Sequence, residues 1–112
     1  MLNLLSRNSV KKISASEAKQ RLDSNESVVL IDVREKGEYM DRHIPKSINV
    51  PLGNINAVEK LVPDKNAPVF VYCLSGGRSA NAAKQMDKMG YKNIYNLGGI
   101  SGWHYDTVSG KK

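Results

Sequence analysis

Two short, continuous apolar segments stand out along the chain, at residues 28–32 and 69–72. Both are too short for a helix and rich in β-branched residues, which predicts two buried strands of a sheet. Shorter apolar runs predict three further strands at residues 12–13, 47–50 and 94–97. Pro51 ends the second of these three because proline has no amide hydrogen to donate to a neighbouring strand.

Segments in which apolar side chains recur at helical spacing separate these strands. Ser14 and Glu17 have the spacing of a capping box, which predicts a helix that runs to about Asp23. Further helical segments are predicted at residues 35–41, 54–61 and 79–89, and a short one around Trp103. The alternation of strands and helices predicts an α/β domain with a parallel sheet covered on both faces. Ligands bind such sheets at the carboxyl ends of the strands, and Cys73 lies at such an end.

The length and composition limit the number of domains and the kinds of binding partner that can be expected. A chain of 112 residues is long enough to bury one core without disulfides or a structural metal, so one domain is expected. The 17 Lys and Arg residues against 11 Asp and Glu give a net charge of +6, but they are scattered and form no basic stripe. Neither nucleic acid nor membrane is therefore an expected partner, and a small anion remains one.

The cysteine content and the N-terminal residues indicate the cellular compartment in which the protein is expected. One unpaired cysteine is typical of a reducing environment, and the apolar residues 1–5 are too few for a signal-peptide core. No stretch approaches the roughly 20 apolar residues of a membrane span. A cytoplasmic protein is the resulting expectation.

The loop after residue 72 carries the candidate chemistry. Gly76 and Gly77 allow the backbone to turn successive N–H groups inward, and a helix that starts at about Ser79 directs its positive end at the same point. Cys73 faces this anion cradle with Arg78 nearby, which predicts a lowered pKa and a nucleophilic thiolate. The alternative is a small buried cysteine with no reactivity, but such a cysteine would not need the glycines and the arginine.

The loop and its flanking motifs resemble the rhodanese family. The motifs that carry the resemblance are Leu30-Ile-Asp-Val-Arg34, Glu38-Tyr39, His43-Ile44-Pro45, Cys73-Leu-Ser-Gly-Gly-Arg78 and Gly98-Gly99 with Trp103. The resemblance implies a five-stranded, mainly parallel sheet flanked by helices on both faces, within one domain at residues 10–107 and short tails at 1–9 and 108–112. It also implies a sulfurtransferase in which Cys73 carries a persulfide and the loop amides line the pocket. The residues implied in substrate binding are Leu74, Ser75, Gly76, Gly77, Arg78 and Ser79.

The length of the loop separates two chemistries that this type of fold supports. Four residues lie between Cys73 and Arg78, whereas the related dual-specificity phosphatases and arsenate reductases hold five. The shorter loop makes a smaller cradle, which suits one sulfur atom better than a tetrahedral phosphate. A phosphatase-like activity is therefore disfavoured, and no general acid for a phosphoester leaving group is evident.

The partners follow from counting cysteines. Because the chain has no second cysteine, a persulfide on Cys73 must pass its sulfur to an external thiol, cyanide or protein acceptor. A thiosulfate-like anion is the expected small donor, and no cofactor or metal is expected, since two histidines and one cysteine lie far apart in the sequence. The alternatives are a persulfide carrier that receives sulfur from a protein, or a non-catalytic interaction domain.

Three charged residues are predicted to support the loop. Asp32 and Arg34 are two positions apart at a strand end, where a structural ion pair is a simpler explanation than catalysis. Glu38 is expected to reach Arg78 and orient it. Lys46 stands where rhodaneses typically carry glycine, as does Arg42, so the turn around residues 43–46 is expected to be looser than usual.

Overall fold

The computed structural model describes residues 10–111, so the predictions for residues 1–9 and 112 lie outside the described part of the chain. The strands are β1 (Lys11–Lys12), β2 (Val29–Asp32), β3 (Ile48–Asn49), β4 (Val69–Cys73) and β5 (Ile94–Gly99). The helices are α1 (Ala15–Asp23), α2 (Lys36–Asp41), α3 (Val58–Leu61) and α4 (Gly77–Lys88), with 3₁₀ turns at Leu52–Ala57 and Ile100–Gly102.

The five strands form one sheet in the order β1-β5-β4-β2-β3, and every pairing among them is parallel. The predicted α/β class and five-stranded sheet are confirmed. Strand β4 lies at the centre and all five of its residues are buried, which explains why its sequence is continuously apolar. Its carboxyl end therefore opens between the ends of β5 and β2.

Alternate side chains of β4 supply two separate cores. Val69, Val71 and Cys73 face the core that α3 and α4 cover, while Phe70 and Tyr72 face the core that α1 covers. This alternation is the period of two expected for a strand. The expected helical cover on both faces of the sheet is thus confirmed.

Two predicted helices differ from the structure at their boundaries. Helix α4 begins at Gly77 rather than Ser79, because Gly76 takes the N-cap position with φ +114° and lets the chain turn directly into the helix. The predicted helix at residues 54–61 is a 3₁₀ turn followed by α3, with Asn54 outside helical geometry.

A backbone hydrogen bond between Ser47 and Ile44 closes the turn at residues 44–47, and the expected difference from the usual family pattern stays a prediction. The Ser47 amide donates to the Ile44 carbonyl at 3.1 Å, and Tyr72 Oη accepts from the Ile44 amide at 3.0 Å. Lys46 adopts the left-handed conformation, with φ +72°. The lysine therefore occupies a backbone geometry that favours glycine, at the cost of local strain.

This strain gives a stability prediction. Lys46→Gly should raise the free energy of unfolding by about 0.5–1 kcal/mol, the difference between the relieved strain and the added freedom of the unfolded chain. Lys46→Ala keeps the Cβ atom and should change little. Urea unfolding of both variants checks this, and a Gly variant less stable than the Ala variant would contradict it.

Val108 and Gly110, which follow Trp103, are attached to the domain. Val108, which the sequence analysis places in a terminal tail, forms an antiparallel bridge with His43, and the Gly110 amide donates to the Met40 carbonyl at 2.8 Å.

Among the described residues, no helix has the length and apolar character needed to cross a membrane.

Candidate active site

Cys73 is the last residue of β4, and its thiol lies in the turn that leads to α4. The backbone amides of Gly76 and Ser79 donate to Sγ at 3.0 and 3.4 Å, and the thiol lies 3.5 Å from Ser79 Oγ. The side chain is enclosed, since Cys73 is only 1% exposed. The loop thus surrounds one sulfur atom with hydrogen-bonding groups.

Two glycines give this loop its shape. Gly76 has the positive φ described above, and it places the first turn of the twelve-residue helix α4 behind Sγ. Gly99, at the end of β5, lies so close to the loop that a Cβ atom there would be 2.0 Å from the Leu74 carbonyl oxygen. Only a residue without a Cβ atom fits this close approach between β5 and the loop.

The surroundings of Cys73 favour its thiolate. Burial raises the pKa of the thiol, but its hydrogen bonding with the Ser79 side chain and with the amides of Ser79, Gly76 and Ser75 outweighs burial, and the pKa is lowered overall. The thiolate fraction consequently becomes substantial at a lower pH than for an ordinary cysteine. The predicted nucleophile therefore has the electrostatic setting that a nucleophile requires.

Arg78 pairs with Glu38 rather than with the cysteine. Its two terminal nitrogens donate to the two carboxylate oxygens at 2.7 and 3.0 Å, which confirms the predicted contact. The Arg78 guanidinium lowers the pKa of Glu38 to about 2. The arginine is thus a brace between α4 and α2, and the negative charge of a bound anion would be met by backbone amides.

Asp32 and Arg34 form a buried ion pair at the end of β2. Arg34 Nη2 donates to Asp32 Oδ2 at 2.7 Å and to the Arg42 carbonyl at 2.6 Å, and Asp32 and Arg34 are 0% and 4% exposed. In the described part of the chain, neither side chain forms a hydrogen bond with Cys73. The arrangement is a structural ion pair that holds the segments around the site, as the sequence analysis preferred.

The remaining loop residues differ in how far their side chains are exposed to solvent. Leu74 and Ser75 are exposed at the entrance, Leu74 by 47%, while the side chain of Ser79 is fully buried. Gly77 begins α4 and is exposed. Leu74 therefore presents an apolar side chain to solvent directly beside the reactive sulfur.

Sequence reasoning missed Asn96 on β5. Its Oδ1 accepts from Ser79 Oγ at 2.7 Å and from the Gly98 amide at 2.9 Å, so it connects β5 with the cysteine loop. The only signal in the sequence is a polar residue inside the apolar run 94–97, two positions before Gly98.

The parallel sheet and the enclosed, activated cysteine at the start of a helix define an α/β domain with a cysteine-centred anion loop. A family model described as "Rhodanese-like domain" matches residues 14–106. The chain belongs to this family, and the resemblance inferred from its motifs is confirmed.

Three relatives illustrate the similarity. YrkF of Bacillus subtilis, named provisionally as a sulfur carrier protein, is 41% identical over 80% of this chain, which spans only 48% of that protein. Thiosulfate sulfurtransferase PspE of Escherichia coli is 37% identical over 71% of this chain and 78% of its own. A solved structure, "rhodanese with anions from E. coli", has a TM-score of 0.69 at 36% identity and covers 75% of this chain and 100% of that chain.

Proposed function

We propose that this domain is a sulfurtransferase that moves a sulfane sulfur from a thiosulfate-like donor to a thiophilic acceptor. The observation that carries the proposal is the enclosure of Cys73 Sγ by the amides of Gly76 and Ser79, which favours a thiolate and a bound anion. Membership of the rhodanese-like family and the names of its relatives support the same reaction. A reducing compartment such as the cytoplasm suits a thiol that must stay free.

The reaction consists of two displacements at sulfur. The Cys73 thiolate attacks the outer sulfur of thiosulfate, a Cys73 S–S bond forms, and the donor S–S bond breaks as sulfite leaves with the electron pair. An acceptor such as cyanide or a thiolate then attacks the outer sulfur of the persulfide and regenerates the Cys73 thiolate. The loop amides stabilise the negative charge on the persulfide between the two steps.

Sulfur transfer from thiosulfate to cyanide tests the proposal, with Cys73→Ser beside the wild type. We expect thiocyanate from the wild type, none above background from the variant, and a mass gain of about 32 Da, one sulfur atom, on Cys73 after the donor alone. A wild type that gains no sulfur from any donor would refute the proposal.

A persulfide carrier is the second candidate, and the exposed Leu74 favours it. This apolar side chain beside an enclosed cysteine offers a contact for a protein partner, and YrkF is provisionally named as a carrier. Sulfur uptake from a protein persulfide without saturable thiosulfate turnover would support the carrier over the small-molecule enzyme.

A phosphatase-like activity gains no support from the site. The Arg78 guanidinium, which would have to hold a phosphate, is occupied by both oxygens of Glu38. We expect no hydrolysis of p-nitrophenyl phosphate, measured as release of nitrophenolate.

The Arg78–Glu38 brace gives a kinetic prediction. Glu38→Gln should lower the rate of sulfur transfer about tenfold, less than the roughly hundredfold effect of removing one donor outright, because α4 and its Ser79 amide lose their anchor to α2. In the wild type the brace is intact above about pH 4.5 and is lost as the pH falls towards the folded-state pKa of about 2. Steady-state kinetics at neutral pH therefore measures the intact brace.

A control exists in the ion pair of Glu59 with Lys65, which α3 and the loop before β4 form and in which the glutamate is more exposed than Glu38. Glu59→Gln removes the same charge without touching the cysteine loop and should leave the kinetics unchanged. Equal rates in Glu38→Gln and the wild type would show that the brace does not hold the loop.

A further inference from the structure

The orientation of the Asn96 amide is fixed by its neighbours. The Gly98 backbone N–H can only donate, and it lies 2.9 Å from Asn96 Oδ1. The oxygen of the amide, and not its NH₂ group, therefore faces Ser79. It follows that the Ser79 hydroxyl donates its proton to Asn96 across 2.7 Å.

This bond decides what the Ser79 hydroxyl offers to the cysteine. A hydroxyl has one proton, and the other oxygen acceptors near Ser79 Oγ, the Gly76 and Gly98 carbonyls, lie further away at 3.1 and 3.3 Å. While the proton points at Asn96, a lone pair of Oγ faces Cys73 Sγ at 3.5 Å and can accept from a thiol. To donate to a thiolate, the hydroxyl must turn and give up its shortest hydrogen bond.

We propose that Asn96 is a positioning residue that competes with the Cys73 thiolate for the Ser79 proton. The proposal extends the proposed function, because it concerns the nucleophile on which sulfur transfer depends. Asn96 touches neither the cysteine nor the reacting sulfur and acts only through Ser79. It thereby holds the cysteine less ionised than the loop amides and a free Ser79 hydroxyl together would make it.

The charged groups around Cys73 are independent of this bond. Arg78 on α4 interacts electrostatically with Cys73 and with Asp32 at the end of β2, and Glu38 on α2 neutralises Arg78. The residues of β5 described here as facing the loop, Asn96, Gly98 and Gly99, carry no charge. Replacement of Asn96 with an apolar residue therefore changes the hydrogen bonding of Ser79 and not the charge of the site.

The test is the pH dependence of Cys73 alkylation by iodoacetamide in the full chain. Asn96→Ala should shift the midpoint of the rate profile to lower pH by about half a pH unit or more, because the freed hydroxyl can donate to the thiolate. Asn96→Leu, which fills the space of the amide, should do the same and serves if the alanine variant does not fold. Asn93→Ala, which removes an exposed asparagine from the loop before β5, should leave the midpoint unchanged.

The double variant distinguishes the proposed route from a structural effect. In a Ser79→Ala background, the Asn96 substitution should no longer move the midpoint, since the hydroxyl through which it acts is gone. An unchanged or higher midpoint in both Asn96 variants, or an equal shift with and without Ser79, would overturn the proposal. The readout does not require sulfur transfer, so a protein with the expected alkylation profile and no transfer would refute only the proposed function.

Discussion

Gly99→Ala is expected to reduce sulfur transfer at least a hundredfold and to destabilise the fold by about 3 kcal/mol, at the upper end of overpacking in a core. The added Cβ atom would lie 2.0 Å from the Leu74 carbonyl oxygen and 2.7 Å from the Ser75 Cα atom. Both contacts are with backbone, so no side-chain rotation relieves them. The loop must move away from β5, and the amides that face Cys73 move with it. Thiocyanate formation and urea unfolding measure the two effects.

Gly102→Ala is the matched control, because a Cβ atom there meets nothing within 4 Å. It makes the same chemical change three residues away and should leave both activity and stability near the wild type. Wild-type activity in Gly99→Ala would mean that the loop tolerates displacement, and the close contact would then have no role in catalysis.

Asp32→Asn is expected to lower the free energy of unfolding by about 3–5 kcal/mol, the usual effect of removing one partner of a buried ion pair. The substitution keeps the size of the side chain but leaves the Arg34 guanidinium, 5% exposed, without its counter-charge. A domain of this size is stable by only about 5–15 kcal/mol, so the variant should be close to unfolding at 37 °C. Urea denaturation followed by circular dichroism gives the difference.

An exposed pair provides the comparison for this effect. Asp23 pairs with Lys19 on α1, and its side chain is 61% exposed, so Asp23→Asn should change stability by less than about 0.5 kcal/mol. Combining Asp32→Asn with Arg34→Met should recover part of the lost stability, because no unpaired charge is then buried. A loss in Asp32→Asn as small as that in Asp23→Asn would show that the buried pair is solvated.

The order of elements could be predicted from the sequence because its local patterns agree with the final packing. The apolar run of β4 is buried on both faces of the sheet. Ser14 Oγ accepts a hydrogen bond from the Glu17 amide at 3.1 Å, as the capping motif predicts. The loop chemistry was also predictable, because the glycines, the cysteine and the helix that follows are contiguous in the chain. The apolar runs and the family motifs both predicted five strands.

The contacts between distant segments were not predictable in the same way. Asn96 reaches Ser79 because β5 contains an irregularity: Val71 pairs with Asn96 and the next residue, Tyr72, pairs with Gly98. The extra residue shifts the side-chain alternation along β5, and no local pattern marks its position. The left-handed Lys46 has a similar explanation, since the hydrogen bond from the Ile44 amide to Tyr72, a distant residue, holds the turn in place.

The enclosure of Cys73 has a consequence for the regiochemistry of a persulfide formed there. The inner sulfur would be Sγ itself, on a residue that is 1% exposed, whereas the outer sulfur would lie one bond beyond Sγ. A nucleophile that attacks the outer sulfur receives it, whereas attack at the inner sulfur would link the nucleophile to the protein and expel hydrosulfide. The burial of Sγ disfavours the second route, so we expect little hydrosulfide for each sulfur delivered, as a sulfide electrode would record. The fold would thus decide which of two adjacent, chemically similar atoms reacts.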